Sequence, residues 1–341
     1  METDHRTLAD VGEAGLLRAI FPVLPSGDHT LLGPGDDTAV VAAPDGRVVA
    51  TTDVLVEGRD FRHDWSSPQD VGAKAAAQNL ADVAAMGAEP TALLVGLVAP
   101  ADLPLAWAVG LSEGLAAGCA GTGAGVVGGD LSSGPVIVVS VTALGDLAGR
   151  RPVLRSGARP GDVVALAGTL GWSAAGLALL QSGWPDAGAL AEQAPAGSRP
   201  DLAAGARPAD LVAVHRRPTP PYAAGPAAAR AQASAMLDVS DGLLRDAGRI
   251  AVASGVVLDL SRDQLAGYVA ALGPVADALG ADPWEWVLSG GEDHGLLATF
   301  APGAVPTSFT IVGVVREGDD PTVLLDGGHP ASALGWDHFR P

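Results

Sequence analysis

Carboxylates gather at turns along this chain in a repeated arrangement. They occur in Gly35-Asp36-Asp37, Thr51-Thr52-Asp53, Asn79-Leu80-Ala81-Asp82, Gly128-Gly129-Asp130, Asp238-Val239-Ser240-Asp241 and Gly290-Gly291-Glu292-Asp293. Most stand at the end of an apolar run or beside glycines, where backbone can approach a ligand closely. Asp82 differs, lying in a helical pattern with Asn79 one turn before it. Any one of these acids alone reads as a turn residue or a helix cap. Together, Asp37, Asp53, Asp82, Asp130, Asp238 and Asp241 need a common reason to sit beside apolar segments. A buried carboxylate costs several kcal/mol unless it is paired or metal-bound. With 39 Asp and Glu against 20 Lys and Arg, basic partners are scarce. Hard divalent cations with oxygen ligands resolve the conflict. If the ion is Mg²⁺, phosphate oxygens and water complete its shell.

Known phosphate motifs narrow the chemistry. A P-loop needs GxxxxGK[ST], and the only lysine, Lys74, follows Ala73. The strand lysine and HRD loop of protein kinases are absent. Gly121, Gly123 and Gly125 follow a predicted helix and lack the acidic partner of a dinucleotide fingerprint. What remains is phosphoryl transfer built on metal ions and helix-end amides. Ser240-Asp241-Gly242, at a strand-to-helix turn, is expected to offer N–H groups to phosphate. Arg155 in LRSGARPGD is placed to neutralise charge developing in transfer.

These residues need elements to hold them. Apolar spacing predicts a helix near 8–21 and strands near 38–43 and 47–53, joined by the turn Pro44-Asp45-Gly46. Ser67-Pro68 starts a strong helix that stops at Gly87. A strand at about 91–98, a helix at about 104–118 and the strand PVIVVSVTALG follow. ARPGDVV at 158–164 marks a boundary, so domains of 1–150 and 151–341 are expected. Short helices and loops are expected at 185–221. Then AMLDVSDGLLRDAGRIAVASG gives strand, turn and helix, VVLDL a strand, 264–279 a helix, and GLLATF, FTIVGVV and TVLLDG strands. Helices alternate with strands and hairpins are mixed in, which predicts an α/β fold of α+β type with partly antiparallel sheets.

At 341 residues, 48% hydrophobic and 17% charged, the chain is globular and large enough for two domains. A net charge of −19 argues against nucleic acid and anionic membrane as partners. The single cysteine, Cys119, excludes an internal disulfide and a cysteine zinc cage. That suits the cytoplasm, as does a polar N-terminus without a signal-peptide pattern. The uncharged run 163–185 is long enough to span a bilayer, but glycines and hydroxyls interrupt it. A buried strand, a glycine turn and a helix fit it better.

The blocks GPGDDTAV, TTDVLVEGRDF, KAAAQNLADVAAMGAEP, GGDLSSG, RSGARPGD, LDVSDGLLRD, SGGEDHGLL and GWDHF, in that order from about residue 33 to 339, resemble the thiamine-monophosphate kinase family. That family lies within the aminoimidazole ribonucleotide synthetase-like superfamily. The resemblance implies a two-domain PurM-like fold with mixed sheets, whose N-terminal domain forms a dimer barrel and whose C-terminal α/β domain completes the site. It implies that Asp37, Thr51, Thr52, Asp53, Asp82, Asp130, Asp238 and Asp241 bind several Mg²⁺ ions. ATP would be contacted by Gly129, Asp130, Arg155 and Ser240, and thiamine monophosphate by Asp60, Glu292 and Trp336. The γ-phosphoryl group of ATP would pass directly to the substrate's phosphate, with no phosphoenzyme, in a homodimer. Trp336 suits stacking on a cationic thiazolium, and Glu292 suits the aminopyrimidine. The sequence departs from the family at Asp60, usually histidine, and at His294-Gly295, usually Tyr-Glu; His63 lies three residues beyond Asp60. The alternatives are a related enzyme with another acceptor, aminoimidazole ribonucleotide synthetase-like, or a non-catalytic acidic metal-binding protein.

Overall fold

A computed structural model describes residues 6–35, 38–183, 206–331 and 335–336. The chain divides into two compact units, one of residues 1–83 and 88–149, the other of 84–87 and 150–341.

Unit 1 opens with α1 (Leu8–Ile20), started by a reciprocal capping box between Thr7 and Asp10. Its regular geometry breaks at Gly12 (φ 61°, ψ 177°), so the continuous helix expected at 8–21 is kinked. Strands β1 (Thr30–Leu32) and β2 (Val40–Val41) pair with each other. The 44–46 turn forms, with Gly46 N–H donating to Ala43 O at 3.0 Å. The hairpin it was expected to close does not: β3 (Val49–Val56) pairs with β6.

Helix α2 (Pro68–Ala85) starts as its sequence predicts. Asp70 N–H donates to Ser67 Oγ (3.2 Å) and Ser67 N–H to Asp70 Oδ2 (2.9 Å). Strand β4 (Glu89–Ala99), helix α3 (Leu105–Cys119) and strand β5 (Gly125–Ser133) make a parallel crossover, and β6 (Val138–Asp146) returns antiparallel. The sheet order is β3-β6-β4-β5. On β6 the face carrying Val139, Val141 and Ala143 is fully buried. The opposite face of the sheet is open, with Val54 and Leu94 exposed.

Unit 2 contains β7 (Val163–Ala167), α4 (Trp172–Gln181), α5 (Pro208–Arg216), α6 (Ala224–Arg230), β8 (Ala235–Val239), α7 (Leu243–Ser254), β9 (Val257–Leu260), α8 (Arg262–Leu279), α9 (Pro283–Ser289), β10 (Gly295–Phe300), β11 (Thr310–Arg316) and β12 (Thr322–Leu325). Its sheet runs β12-β9-β11-β7-β10-β8, antiparallel except for β12 beside β9. Central strands β7 and β10 are buried on both faces, which is why they read as unbroken apolar runs. The uncharged stretch from 163 resolves into β7, a turn and α4, and among the described residues no helix is long and apolar enough to cross a membrane. Helix α9, which periodicity does not predict, is capped by Asp282 with Pro283 at its first position. The short helices expected at 185–221 lie partly outside the described residues; α5 falls in the described part.

Candidate functional site

In unit 1 the acids lie on β3, α2 and β5. Thr51 and Asp53 alternate with Thr52 along β3, so Thr51 and Asp53 face α2 while Thr52 faces away. Thr51 Oγ1 donates to Asp82 Oδ2 at 2.6 Å, and Asn79 Oδ1 accepts from Asp53 N–H at 3.0 Å. Fully buried Asn79 is locked in turn by donating to Ala75 O (2.9 Å). The one-turn spacing of Asn79 and Asp82 thus lays α2 against the middle of β3. Thr52 Oγ1 donates to Val141 O at 2.9 Å and accepts from Thr142 Oγ1 at 3.3 Å.

Asp130 is elsewhere. Register runs from Asp53 to Val141, Val95 and Gly129 in one row across the four strands. With strands about 4.8 Å apart, the row spans about 14 Å. Asp130, next to Gly129, shares the open face with Val54 and Ser140. The chain therefore does not bring Asp130 to Thr51, Asp53 and Asp82. Gly129 allows β5 to lie close, since a Cβ there would meet Val95 O at 1.9 Å. Asp37 lies outside the described residues.

The loop of Asp60 also has its own work. Asp60 Oδ2 accepts from Val56 N–H (2.8 Å), and buried Lys74 donates to Asp60 O (3.1 Å). His63 pairs with Glu57 at 2.9 Å and packs edge-on to Phe61 and Trp107. The Asp60 carboxylate is thus a turn-closing acceptor, and His63 belongs to an aromatic cluster.

In unit 2 three segments converge. Glu292 N–H donates to Ser240 O (2.8 Å), His294 N–H to Val239 O (3.0 Å) and Trp336 N–H to Asp241 O (2.9 Å). These bonds bind the GGEDH loop and Trp336 to the turn between β8 and α7. Trp336 is 49% exposed, so its ring is presented to solvent.

Two of the three amides expected to offer themselves to phosphate at Ser240-Asp241-Gly242 are engaged within the turn. Ser240 N–H (3.1 Å) and Asp241 N–H (2.9 Å) both donate to Asp246 Oδ2. Asp246, fully buried in the first turn of α7, takes the place that a phosphate was expected to fill. Burial pushes its pKa up to about 7, against the pull of the Asp241 amide and Arg249. What the turn offers is the Ser240 hydroxyl, which has no partner among the described residues.

The scarcity of basic partners also fails locally. Arg249 bridges Asp241 and Asp246, and His294 Nδ1 lies 3.2 Å from Asp238 Oδ2, both side chains being buried. Helical spacing brings Asp246 and Arg249 together, three residues apart, a signal present in LLRDAGR.

Asp293 is anchored below the loop. It accepts from Thr169 Oγ1 (2.8 Å), Trp172 N–H (3.1 Å) and Ser173 N–H (3.4 Å) at the start of α4. Burial raises its pKa to about 6, and those donors pull it back. Arg155 stands apart from Ser240. Its carbonyl accepts from Ser254 Oγ (3.2 Å) at the far end of α7, a helix about 18 Å long. Cys119 is buried, and burial pushes its thiol up to about 12, so it is no nucleophile.

The two units with their acid-bearing turns correspond to the two domains of AIR synthase-related proteins. The model of the AIR synthase related protein N-terminal domain matches residues 35–147 and that of the C-terminal domain matches 159–306. Thiamine-monophosphate kinase of Mycobacterium tuberculosis is 48% identical over 99% of this chain and 95% of its own. That of Corynebacterium glutamicum is 40% identical over 98% of this chain and 96% of its own. The solved structure of AaThiL complexed with AMPPCP and TMP matches with a TM-score of 0.74 and 32% identity, over 98% of this chain and 99% of that one. The chain belongs to the thiamine-monophosphate kinase family of AIR synthase-related proteins.

Proposed function

We propose that this protein transfers the γ-phosphoryl group of ATP to thiamine monophosphate, giving thiamine diphosphate and ADP. The observation that carries the reading is the full-length match to thiamine-monophosphate kinases, together with a loop that presents Glu292, Ser240 and Trp336 from one backbone-bonded turn.

In unit 1 the Thr51 hydroxyl meets the Asp82 carboxylate, and Asp53 lies on the same face of β3. Among the described residues no three His, Cys, Asp or Glu side chains converge into a protein-only metal cage. Hard oxygen donors of this kind suit Mg²⁺, which takes one or two carboxylates and completes its shell with substrate phosphates and water. When bound, Mg²⁺ supplies charge screening for the phosphates. Asp37 and Thr52 belong to this proposed set on the resemblance; the Thr52 side chain faces away from Asp82 and bonds Val141 O. Gly129 and Asp130 would serve ATP at the β5 edge. In unit 2, Asp238 and Asp241 would take further ions, Ser240 would donate its hydroxyl to phosphate, and Arg155 would meet the distant part of the nucleotide. Trp336 would stack on the thiazolium and Glu292 would accept from the aminopyrimidine. Asp60 would act by shaping its loop.

A homodimer built on unit 1 fits the open sheet face on which Val54 and Leu94 are exposed. We assign the reaction to the cytoplasm, which a single cysteine suits. Purified protein with ATP, Mg²⁺ and thiamine monophosphate, resolved by chromatography, should form thiamine diphosphate only when all three are present. Tight Mg·ATP binding without product would assign a different acceptor.

A further inference from the structure

Glu292 and His294 both hold left-handed backbone conformations, with φ of 65° and 51°. Such conformations cost about 1 kcal/mol or more in residues with a Cβ. The bonds to Ser240 O and Val239 O, with Asp293 anchored on α4, hold the main chain there. They do not aim the Glu292 side chain, which is 38% exposed.

Another helix reaches it. His215, buried in α5, has Nδ1 3.5 Å from Glu292 Oε2 and 3.0 Å from Ser173 Oγ. Its position follows from a glycine. A Cβ at Gly176 would meet Leu211 O at 2.2 Å and His215 Cβ at 3.0 Å, so α5 can nest on α4 only because residue 176 has no side chain. Ser173 is one turn earlier on the same face of α4 and almost fully buried. The chemistry then selects the tautomer. An ionised carboxylate only accepts, whereas a serine hydroxyl donates or accepts. A nitrogen facing both is satisfied when it carries the hydrogen, and a bare lone pair there would oppose the carboxylate.

We propose that His215 is a positioning residue for the acceptor substrate: its Nδ1–H, steadied by Ser173, holds the Glu292 carboxylate in the orientation that receives the aminopyrimidine. This rests on the thiamine monophosphate kinase reading above. The network predicts a selective defect, because ATP is bound by other groups.

The test is a double-mutant cycle on the full-length protein with His215→Phe, His215→Asn and Glu292→Gln. His215→Phe should raise the KM for thiamine monophosphate about tenfold, the scale of one hydrogen bond to a charged group. Its kcat and ATP KM should stay within about threefold of the parent on the same reasoning. His215→Asn, which keeps an N–H donor near the Nδ1 position, should recover most of the loss. Added to Glu292→Gln, His215→Phe should cost little more. Additive effects, or equal rises in both KM values, would overturn the positioning role. If His215→Phe does not fold, the Asn variant decides: a full loss of acceptor affinity there, with Glu292→Gln near normal, also overturns it. Absence of thiamine diphosphate formation by the parent protein would refute the kinase reading and this inference with it.

Discussion

The two units hold their acids by different means. On β3 and α2 in unit 1, Asp82 is held by a hydroxyl and the backbone of Asp53 by a side-chain amide, beside a sheet with one open face. In unit 2 the acids are themselves buried among partners: Asp246 with two amides and Arg249, Asp293 with the start of α4, and Asp238 with His294. Function and stability should therefore separate in unit 1 and remain fused in unit 2. A carboxylate that few groups depend on can be neutralised without harm to the fold. One that satisfies buried donors cannot.

The sharpest break of this comparison is Asp246→Ala. It strands the Ser240 and Asp241 amides and leaves Arg249 with Asp241 alone, and should cost about 3–5 kcal/mol in denaturant unfolding along with ligand binding. A loss below about 1 kcal/mol would show that the turn does not depend on it. Asp53→Asn and Asp130→Asn come next, on the opposite side of the contrast. Each should lower turnover at least a hundredfold, on the order of the loss of a charge-stabilising group, with the melting temperature nearly unchanged. Near-normal rates in either would remove that acid from the metal set.

A pH measurement sharpens the unit 2 side. The Asp293 pKa is raised to about 6 in the folded protein, from 3.8. The native state thus binds the extra proton, and this group's contribution to stability falls as pH rises from about 4 to 6. Asp293→Asn should flatten that part of the stability profile measured by urea unfolding. An unchanged slope would place the titration elsewhere. The mildest expectation is for Trp336→Ala, which should raise the KM for thiamine monophosphate more than that for ATP while stability holds, since the ring is half exposed.

Much of this was legible because it is local. The α2 start needs only Ser67, Pro68 and Asp70 in sequence, and the strand-turn-helix resolution of 163–181 follows from apolar runs broken by glycine. The errors are non-local. Residues 38–43 and 47–53 have the alternation of a hairpin, yet β3 finds a longer partner in β6, 89 positions away at the Thr52 to Val141 bond. The Ser240 and Asp241 amides look available for phosphate until Asp246 is seen beneath them. Periodicity could not show His215 over Gly176, because the contact joins two helices through the absence of a side chain.

The sequence by itself determined the class of chemistry: many acids at glycine turns, one lysine, and an ordered set of blocks that no other phosphate motif explains. These depend on residue type and short spacing, which the chain carries unfolded. Only the tertiary structure decided which acids meet and which have partners. It separated Asp130 from Asp53 by a row of strands and gave Arg249 to Asp241. Strand register and helix packing are set by cooperative burial across the whole unit, and no local window contains that information.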